Sequence, residues 1–239
     1  MKVRIFKIGG SVLTGRAAYS RAAGFVADHL CAFPGERVVA VVSAETGITD
    51  ALLSEARDVA GDPDRDTLDL LWSTGELRSA ALFALSLQAR GVKARALNVH
   101  QTGLHQPDGE GHPRVSALKV HVLLARHDVL VAPGFFARST HDRVVSLGRG
   151  GSDLSAVRLA SGLGASECRL VKDVPGYFTA DPNRHPDATH LDTLTYAQAL
   201  EMADTGCALV QRRAIEAAQR WRIPIVVTAI GAERQTLIH

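Results

Sequence analysis

The sequence predicts an α/β protein built on a largely parallel sheet, and two observations carry that expectation. Short runs rich in valine and isoleucine alternate with alanine-rich segments of helical period along the 239 residues, the pattern of strands joined by helical crossovers. A composition 46% hydrophobic and 22% charged also supplies a sizeable core, since at this length folding buries roughly 70% of the unfolded surface.

Strands are expected at residues 3–8, 38–43, 94–99, 129–132, 167–172 and 225–227, each a short apolar run bounded by turn residues. Helices are expected at 19–32, 50–59, 68–90, 114–125, 155–162, 196–205 and 213–221, where apolar residues recur at helical spacing. Within 68–90, Ser73, Thr74 and Gly75 read as a loop that sets Glu76 at a fresh helix start. Three stretches rich in Pro, Gly and Asp interrupt the pattern, at 60–67, 101–113 and 175–192. The second is long enough for an active-site flap or an oligomer contact, and the third is expected to run over the surface. None separates independent domains, so residues 1–239 read as one domain with two lobes.

Composition narrows the partners. The 27 basic and 25 acidic residues are scattered and leave a net charge of +2, so no single-sign stripe points to nucleic acid, and a small anionic ligand fits better. No apolar run approaches the ~20 residues of a bilayer helix. The first residues alternate like a strand and not like a signal peptide, so a soluble cytoplasmic protein is expected. Cys31, Cys168 and Cys207 are an odd set without paired spacing, and Cys168 and Cys207 are expected to act as small hydrophobes within a strand and a helix. His100, His105 and His112 lack ligand spacing, so no metal-ligating residues are expected. Trp72 and Trp221 are expected to pack in the core or an interface.

Two glycine-bearing segments carry the chemistry. In the first, a strand with Lys7 near its end runs into Gly9, Gly10 and Ser11. Such glycines let backbone N–H groups approach a phosphate, and a nearby ammonium can neutralise charge on a transferring phosphoryl group. A plain tight turn would look the same, and no G-x-x-x-x-G-K-[ST] motif occurs. In the second, Gly148, Arg149, Gly150, Gly151, Ser152 and Asp153 precede an alanine-rich helix. Its glycines and Ser152 would then sit at a positive helix N-terminus, with Arg149 offering a fork for a carboxylate. Helix capping accounts for Ser152 and Asp153 but not for three glycines and a guanidinium in one short window. Only five lysines occur, at 2, 7, 93, 119 and 172, so one kept inside a motif suggests a need for a point charge.

These segments and four others occur in the order and spacing of the amino acid kinase family, and they most resemble the catalytic domain of aspartate kinase. KIGGSV is similar to the family's KFGGTSV, VVSAETGITDALL to VVSAxxGxTDxLL, and STGELRSAALFALSLQARGVKA to SxGExxSAxLxAxxLxxxGxxA. SLGRGGSDLSAVRLA resembles TLGRGGSDxTAxxLA, KDVPGYFTADPN resembles TDVxGxYTADPR, and LTYAQALEMADTGCALV resembles ISYxEAxELAxxGAxVL. The resemblance runs from Lys2 to about Val227.

The resemblance implies a three-layer αβα sandwich around a mostly parallel sheet, with an acceptor lobe at about 1–145 and a lobe for ATP and Mg²⁺ at about 146–239. It implies transfer of the γ-phosphoryl group to the carboxylate of a small amino acid, aspartate first, and a homodimer. Lys7 matches the lysine on the transferring phosphoryl group, Asp153 the aspartate that orients the lysines, and Gly9, Gly10 and Ser11 the adjoining cradle. Ser43, Ala44 and Thr49 match the acceptor loop, Glu76 the carboxylate on the acceptor's amino group, and Arg149 the guanidinium on its carboxylate. Ser152 falls on the acceptor side, whereas Gly150, Gly151, Lys172, Asp173, Phe178, Asp181 and Arg184 fall on the nucleotide side.

The chain departs from that pattern downstream of residue 171. Lys172 replaces a threonine or serine, Phe178 a tyrosine, Asn183 an arginine and Ala208 a lysine. Arg184 could then reach the same phosphates as the missing arginine, and Lys172, Arg212 or Arg213 could supply the other charge. The residues end where aspartate kinases usually continue into regulatory ACT domains, so a compact kinase without that feedback module is expected. Two alternatives stay open: another small acceptor, either a different carboxylate or a phosphorylated alcohol, and a non-catalytic scaffold that binds an anion or nucleotide.

Overall fold

Strand β1 (Lys2–Ile8) lies inside an eight-stranded sheet that draws on both ends of the sequence. The computed structural model describes residues 1–107, 111–182, 184–185, 187–207 and 209–239. Asn183 and Ala208, two of the departures noted above, lie outside the described residues.

After β1 come α1 (Arg16–Ala32), β2 (Glu36–Val42), α2 (Ile48–Val59) and α3 (Arg65–Gln88). The short strands β3 (Ala94–Ala96), β4 (Leu104–Gln106) and β5 (Arg114–Val115) precede α4 (Ala117–Leu124). Next are β6 (Val129–Pro133), β7 (Phe136–Ser139), β8 (Val144–Ser146), α5 (Gly151–Leu163) and β9 (Cys168–Lys172). A hairpin of β10 (Tyr177–Phe178) and β11 (His190–Leu191) and the strand β12 (Thr193–Leu194) lead to α6 (Tyr196–Asp204) and α7 (Arg212–Trp221). The last strands are β13 (Ile225–Ala229) and β14 (Gln235–Ile238).

The main sheet runs β12-β14-β13-β9-β1-β2-β6-β3, and only the β13–β14 pair is antiparallel. A parallel sheet is buried on both faces because its crossovers lay helices there, and two core clusters show it. Phe6, Ile8, Val38, Ala40 and Val131 pack against α1 and α3 through Tyr19, Val26, Phe83 and Leu87. Ile5, Val39, Val41, Leu130 and Leu170 pack against α5 and α7 through Val157, Leu159, Ile215 and Ala218. The three-layer αβα arrangement is therefore present. Strand alternation puts Lys7 on the same face as Ile5, the face covered by α5.

Several expectations need correction. Residues 68–90 are one unbroken helix that starts at Arg65, so Glu76 is interior to it and does not begin it. The polar residues that suggested a loop bond backwards along the helix, Ser73 Oγ to Leu70 O at 2.7 Å and Thr74 Oγ1 to Leu71 O at 2.6 Å. Gly75 is there for close approach, since a Cβ would stand 3.1 Å from both Ala44 Cβ and Ile48 Cγ2. Residues 114–115 pair with β4 before α4 begins, and 94–99 shorten to β3. The 175–192 stretch is not wholly a surface excursion: Tyr177 is buried, receives the Val210 N–H on its hydroxyl at 3.2 Å and donates its own N–H to Thr236 Oγ1 at 2.8 Å. Cys207 is exposed in the loop after α6 and is not buried in a helix, whereas Cys168 is buried in β9 as expected.

Candidate active site

The chemistry-bearing residues gather at the carboxyl ends of β1, β2, β6 and β9, where crevices form in open α/β sheets. Asp153, in the first turn of α5, is 3% exposed and lies between two lysines. Lys7 Nζ from β1 is 2.9 Å from its Oδ1, and Lys172 Nζ from β9 donates to its Oδ2 at 2.9 Å. Burial opposes ionisation of this carboxyl, but the two ammonium groups outweigh it and hold the carboxyl at about 2. Burial in turn lowers the pKa of Lys172, with Asp153 working against that fall. Sequence alone left Lys172 between a phosphate role and surface placement; the structure puts it in the cleft.

A cleft of about 220 Å³ forms around this trio, lined also by Ser43, Gly150, Gly151 and Ser152. Close packing fixes its glycines. Gly150 has φ +76°, and a Cβ there would stand 2.4 Å from Gln211 Cβ. A Cβ on Gly151 would lie 2.8 Å from Phe135 Cδ2. On the β1 side, a Cβ on Gly10 would stand 2.3 Å from the Ala44 carbonyl oxygen, so glycine lets the 43–47 loop close onto the first turn. The Gly9 N–H is already committed to Val171 O at 3.1 Å. What position 9 gives is space beside the Lys7 ammonium, which would be 3.9 Å from a Cβ.

Glu76 reaches the loop from α3. Its Oε1 accepts the Ala44 N–H at 3.4 Å, while its buried Oε2 has no hydrogen-bond partner. Burial pushes the carboxyl up to about 7 against the pull of the Ala44 N–H. Glu76 does not line the cleft itself, but its orphaned oxygen, buried beside the loop after β2, is a place for a cationic donor, because leaving it unmet costs about 1–3 kcal/mol or more. The loop itself is pinned by Glu45, which accepts from the Tyr19 hydroxyl at 3.1 Å and from Arg78. On the same helix, Asp69 Oδ2 accepts the Ser146 N–H at 2.9 Å and braces the entry to the second glycine turn.

Other expected residues stand apart. Phe178 and Asp181 line a second cavity of about 500 Å³, walled largely by Val174, Tyr177, Met202, Cys207 and Leu209. Lys172 and Val174, one in each lining, are two residues apart in the chain. Arg184 is exposed, 3.6 Å from Asp181 Oδ2, and Asp173 is exposed beside Lys172. Arg149 is exposed on the glycine turn and makes no hydrogen bond or ion pair with a described residue. Thr49 is half-buried in the first turn of α2, and Ser11 is exposed at the start of a short 3-10 turn (Ser11–Leu13). Arg212 pairs with Asp204 and Glu216, so it is turned to other partners, whereas Arg213 Nη1 donates to Leu147 O at 2.5 Å.

Sequence reading missed Phe135 and Gln211, which also line the cleft. Phe135 has φ +69°, a strained value for a bulky residue and typical of a functional turn. The available signal was Pro133-Gly134 directly after a strand. Gln211 carries no motif; it directly precedes α7 without a side-chain capping bond, and only the tertiary fold brings it to Gly150.

The described residues contain no helix long and apolar enough to cross a membrane and no group of three or more His, Cys, Asp or Glu placed to hold a metal ion. Residues 2–229 match the model of the amino acid kinase family. The aspartokinase of Mycolicibacterium smegmatis is 35% identical over 238 residues, 98% of this chain and 56% of that protein. The crystal structure of aspartate kinase from Synechocystis superposes with a TM-score of 0.87 at 32% identity, covering 99% of this chain and 39% of that one. E. coli aspartokinase III in complex with lysine and aspartate gives 0.84 at 26% identity, covering 99% of this chain and 64% of that one. The chain spans about half the length of the curated relatives it matches.

Proposed function

The chain belongs to the amino acid kinase family, and we propose that it transfers the γ-phosphoryl group of MgATP to the carboxylate of a small amino acid, aspartate first, giving an acyl phosphate. The observation that carries this reading is the buried Asp153 carboxylate held between the Lys7 and Lys172 ammonium groups at the carboxyl ends of β1 and β9. Aspartate in the name and contents of the related structures favours it as the acceptor.

Phosphoryl transfer through a loose transition state asks for positioning and charge stabilisation more than for proton transfer. The acceptor carboxylate is already ionised at neutral pH, so no strong general base is required. Lys7 stabilises charge on the transferring group, and Asp153 keeps both ammonium groups aimed into the cleft. Gly9, Gly10, Ser11, Gly150 and Gly151 let the phosphates lie against the backbone. Arg149 takes the acceptor's second carboxylate, Glu76 its ammonium group through the orphaned Oε2, and Ser43, Ala44, Thr49 and Ser152 shape the space between. The cavity at Phe178 and Asp181 is of a size for a base and sugar, with Asp173 and Arg184 at its phosphate side.

Magnesium fits as part of the nucleotide. The carboxylate lining the cleft, Asp153, is flanked by two lysines, so phosphate oxygens and water would complete most of the ion's shell. It supplies further neutralisation of the phosphate charge. The acceptor and nucleotide sides divide at about residue 145 into the two lobes. The exposed Leu118 and Val122 of α4 give a homodimer an apolar face to bury, and the cytoplasm supplies the nucleotide.

The test is ADP release across a panel of amino acids and dicarboxylates with MgATP, with hydroxylamine present to trap an acyl phosphate and Asp153→Asn as the blank. Hydroxamate formed with aspartate and not with the blank supports the reading. ADP release without hydroxamate moves the acceptor to an alcohol or phosphate, and nucleotide binding without turnover favours the scaffold.

A further inference from the structure

A cavity of about 450 Å³ opens between α7, Leu154 of α5 and the segment at 111–113, and it shares no lining residue with the cleft. Its wall is cationic. Arg213 and Arg220 stand seven residues apart on α7, two turns along one helix face. The His112 ring nitrogen Nε2 lies 2.5 Å from Arg220 Nη1. Glu216 also lines the cavity, but Arg212 Nε holds its carboxylate at 2.8 Å.

A third guanidinium supports this wall. Arg158 is 7% exposed, its Cζ sits 3.5 Å from the ring centroid of Trp221, and its Nε donates to Pro113 O at 2.5 Å. Trp221 and Pro113 both line the cavity. Arg158 Nη1 is buried without a hydrogen-bond partner, and among the described residues no carboxylate pairs with the group. Burial lowers its pKa and the Arg220 charge lowers it further. A buried cation is ordinarily paired, because an uncompensated charge in the interior is costly. Arg213 and Arg220 line the cavity and Arg158 stands behind its wall, so their positive field outweighs the lining carboxylate of Glu216, which Arg212 already holds.

We propose that this cavity binds a small oxyanion, a carboxylate or phosphate group, held by Arg213 and Arg220 against the wall that Arg158 supports. The site meets the start of the second glycine turn through Arg213. That guanidinium also holds Leu147 O at 2.5 Å and would lie 3.3 Å from a Cβ at Gly148. An anion that draws Arg213 away loosens the turn that carries Arg149. On the kinase reading, occupancy would thus change the acceptor KM; the binding test below stands without that reading.

The test is calorimetric titration of the full chain with inorganic phosphate and, separately, with malonate. Both the wild-type chain and Lys7→Ala should bind at least one probe with the same Kd, and the tighter probe identifies the headgroup. Arg220→Gln should weaken binding by about tenfold or more, the scale of one charge-assisted contact. Glu216→Gln should tighten it severalfold, a gain that a folding defect cannot produce. The proposal is overturned if neither probe gives saturable binding, if Arg220→Gln keeps the wild-type Kd, or if Lys7→Ala abolishes binding and so puts the anion in the cleft.

Discussion

Lys172 donates to Asp153 Oδ2 at 2.9 Å, so strand β9 brings a second ammonium to a carboxylate that Lys7 already meets from β1. On the proposed reading this lysine supplies charge on the nucleotide side. Lys172→Ala should therefore lower kcat/KM for MgATP by about tenfold or more while the acceptor KM stays within about twofold. Initial rates with each substrate varied in turn check it. The reverse split would move Lys172 to the acceptor.

Glu76 gives a pH prediction with a definite sign. Its carboxyl is pushed up to about 7 by burial, so below that pH it is protonated and loses its attraction for an ammonium group. The acceptor KM should rise as pH falls through 7, and Glu76→Gln should raise it about tenfold at pH 8 and flatten the profile. Stability runs the other way. The folded carboxyl holds a proton that the unfolded chain releases between its ordinary value near 4.5 and about 7, so its contribution to stability declines as pH rises through that window. Urea melts at pH 5 and 8 should show Glu76→Gln gaining on the wild type at the higher pH.

Gly150 and Gly164 both have positive φ, +76° and +67°, but their surroundings differ. A Cβ at 150 would meet Gln211 at 2.4 Å, whereas one at 164 meets nothing within 4 Å. Gly164→Ala should cost about 1 kcal/mol from backbone strain alone, and Gly150→Ala about 1–3 kcal/mol more through overpacking. Thermal melts of the two variants give the comparison. Equal shifts would mean that α7 can retreat from the glycine turn without cost.

Phe178 and Lys172 divide binding from chemistry. Phe178 lines the 500 Å³ cavity away from the lysines, so Phe178→Ala should raise the KM for MgATP severalfold with kcat within about twofold. A large fall in kcat with unchanged KM would exclude that cavity as the base site.

The layers and most of the cleft were legible because motif residues fall where strands end. Lys7 is next to last in β1 and Lys172 ends β9, Ser43 follows β2, and Gly150 to Asp153 open α5. Local pattern failed where tertiary packing overrides it. Ser73-Thr74-Gly75 has the composition of a turn, but the two hydroxyls bond back into α3 and the missing side chain at Gly75 admits Ala44 and Ile48. The unbroken helix then presents Asp69 to β8 and Glu76 to the loop after β2, two turns apart. Gln211 and Phe135 were invisible for a different reason: each reaches the cleft through a long-range contact, Gln211 with Gly150 and Phe135 with Gly151.

On the proposed function, the Lys7 ammonium, held 2.9 Å from Asp153, stabilises charge while phosphorus changes partners. The most direct measurement is kcat for Lys7→Ala with MgATP and acceptor both saturating. The predicted result is a fall of about a hundredfold or more with the acceptor KM within about threefold, as expected when a contact made in the transition state is removed. A fall of only a few-fold, or a change confined to acceptor KM, would contradict it.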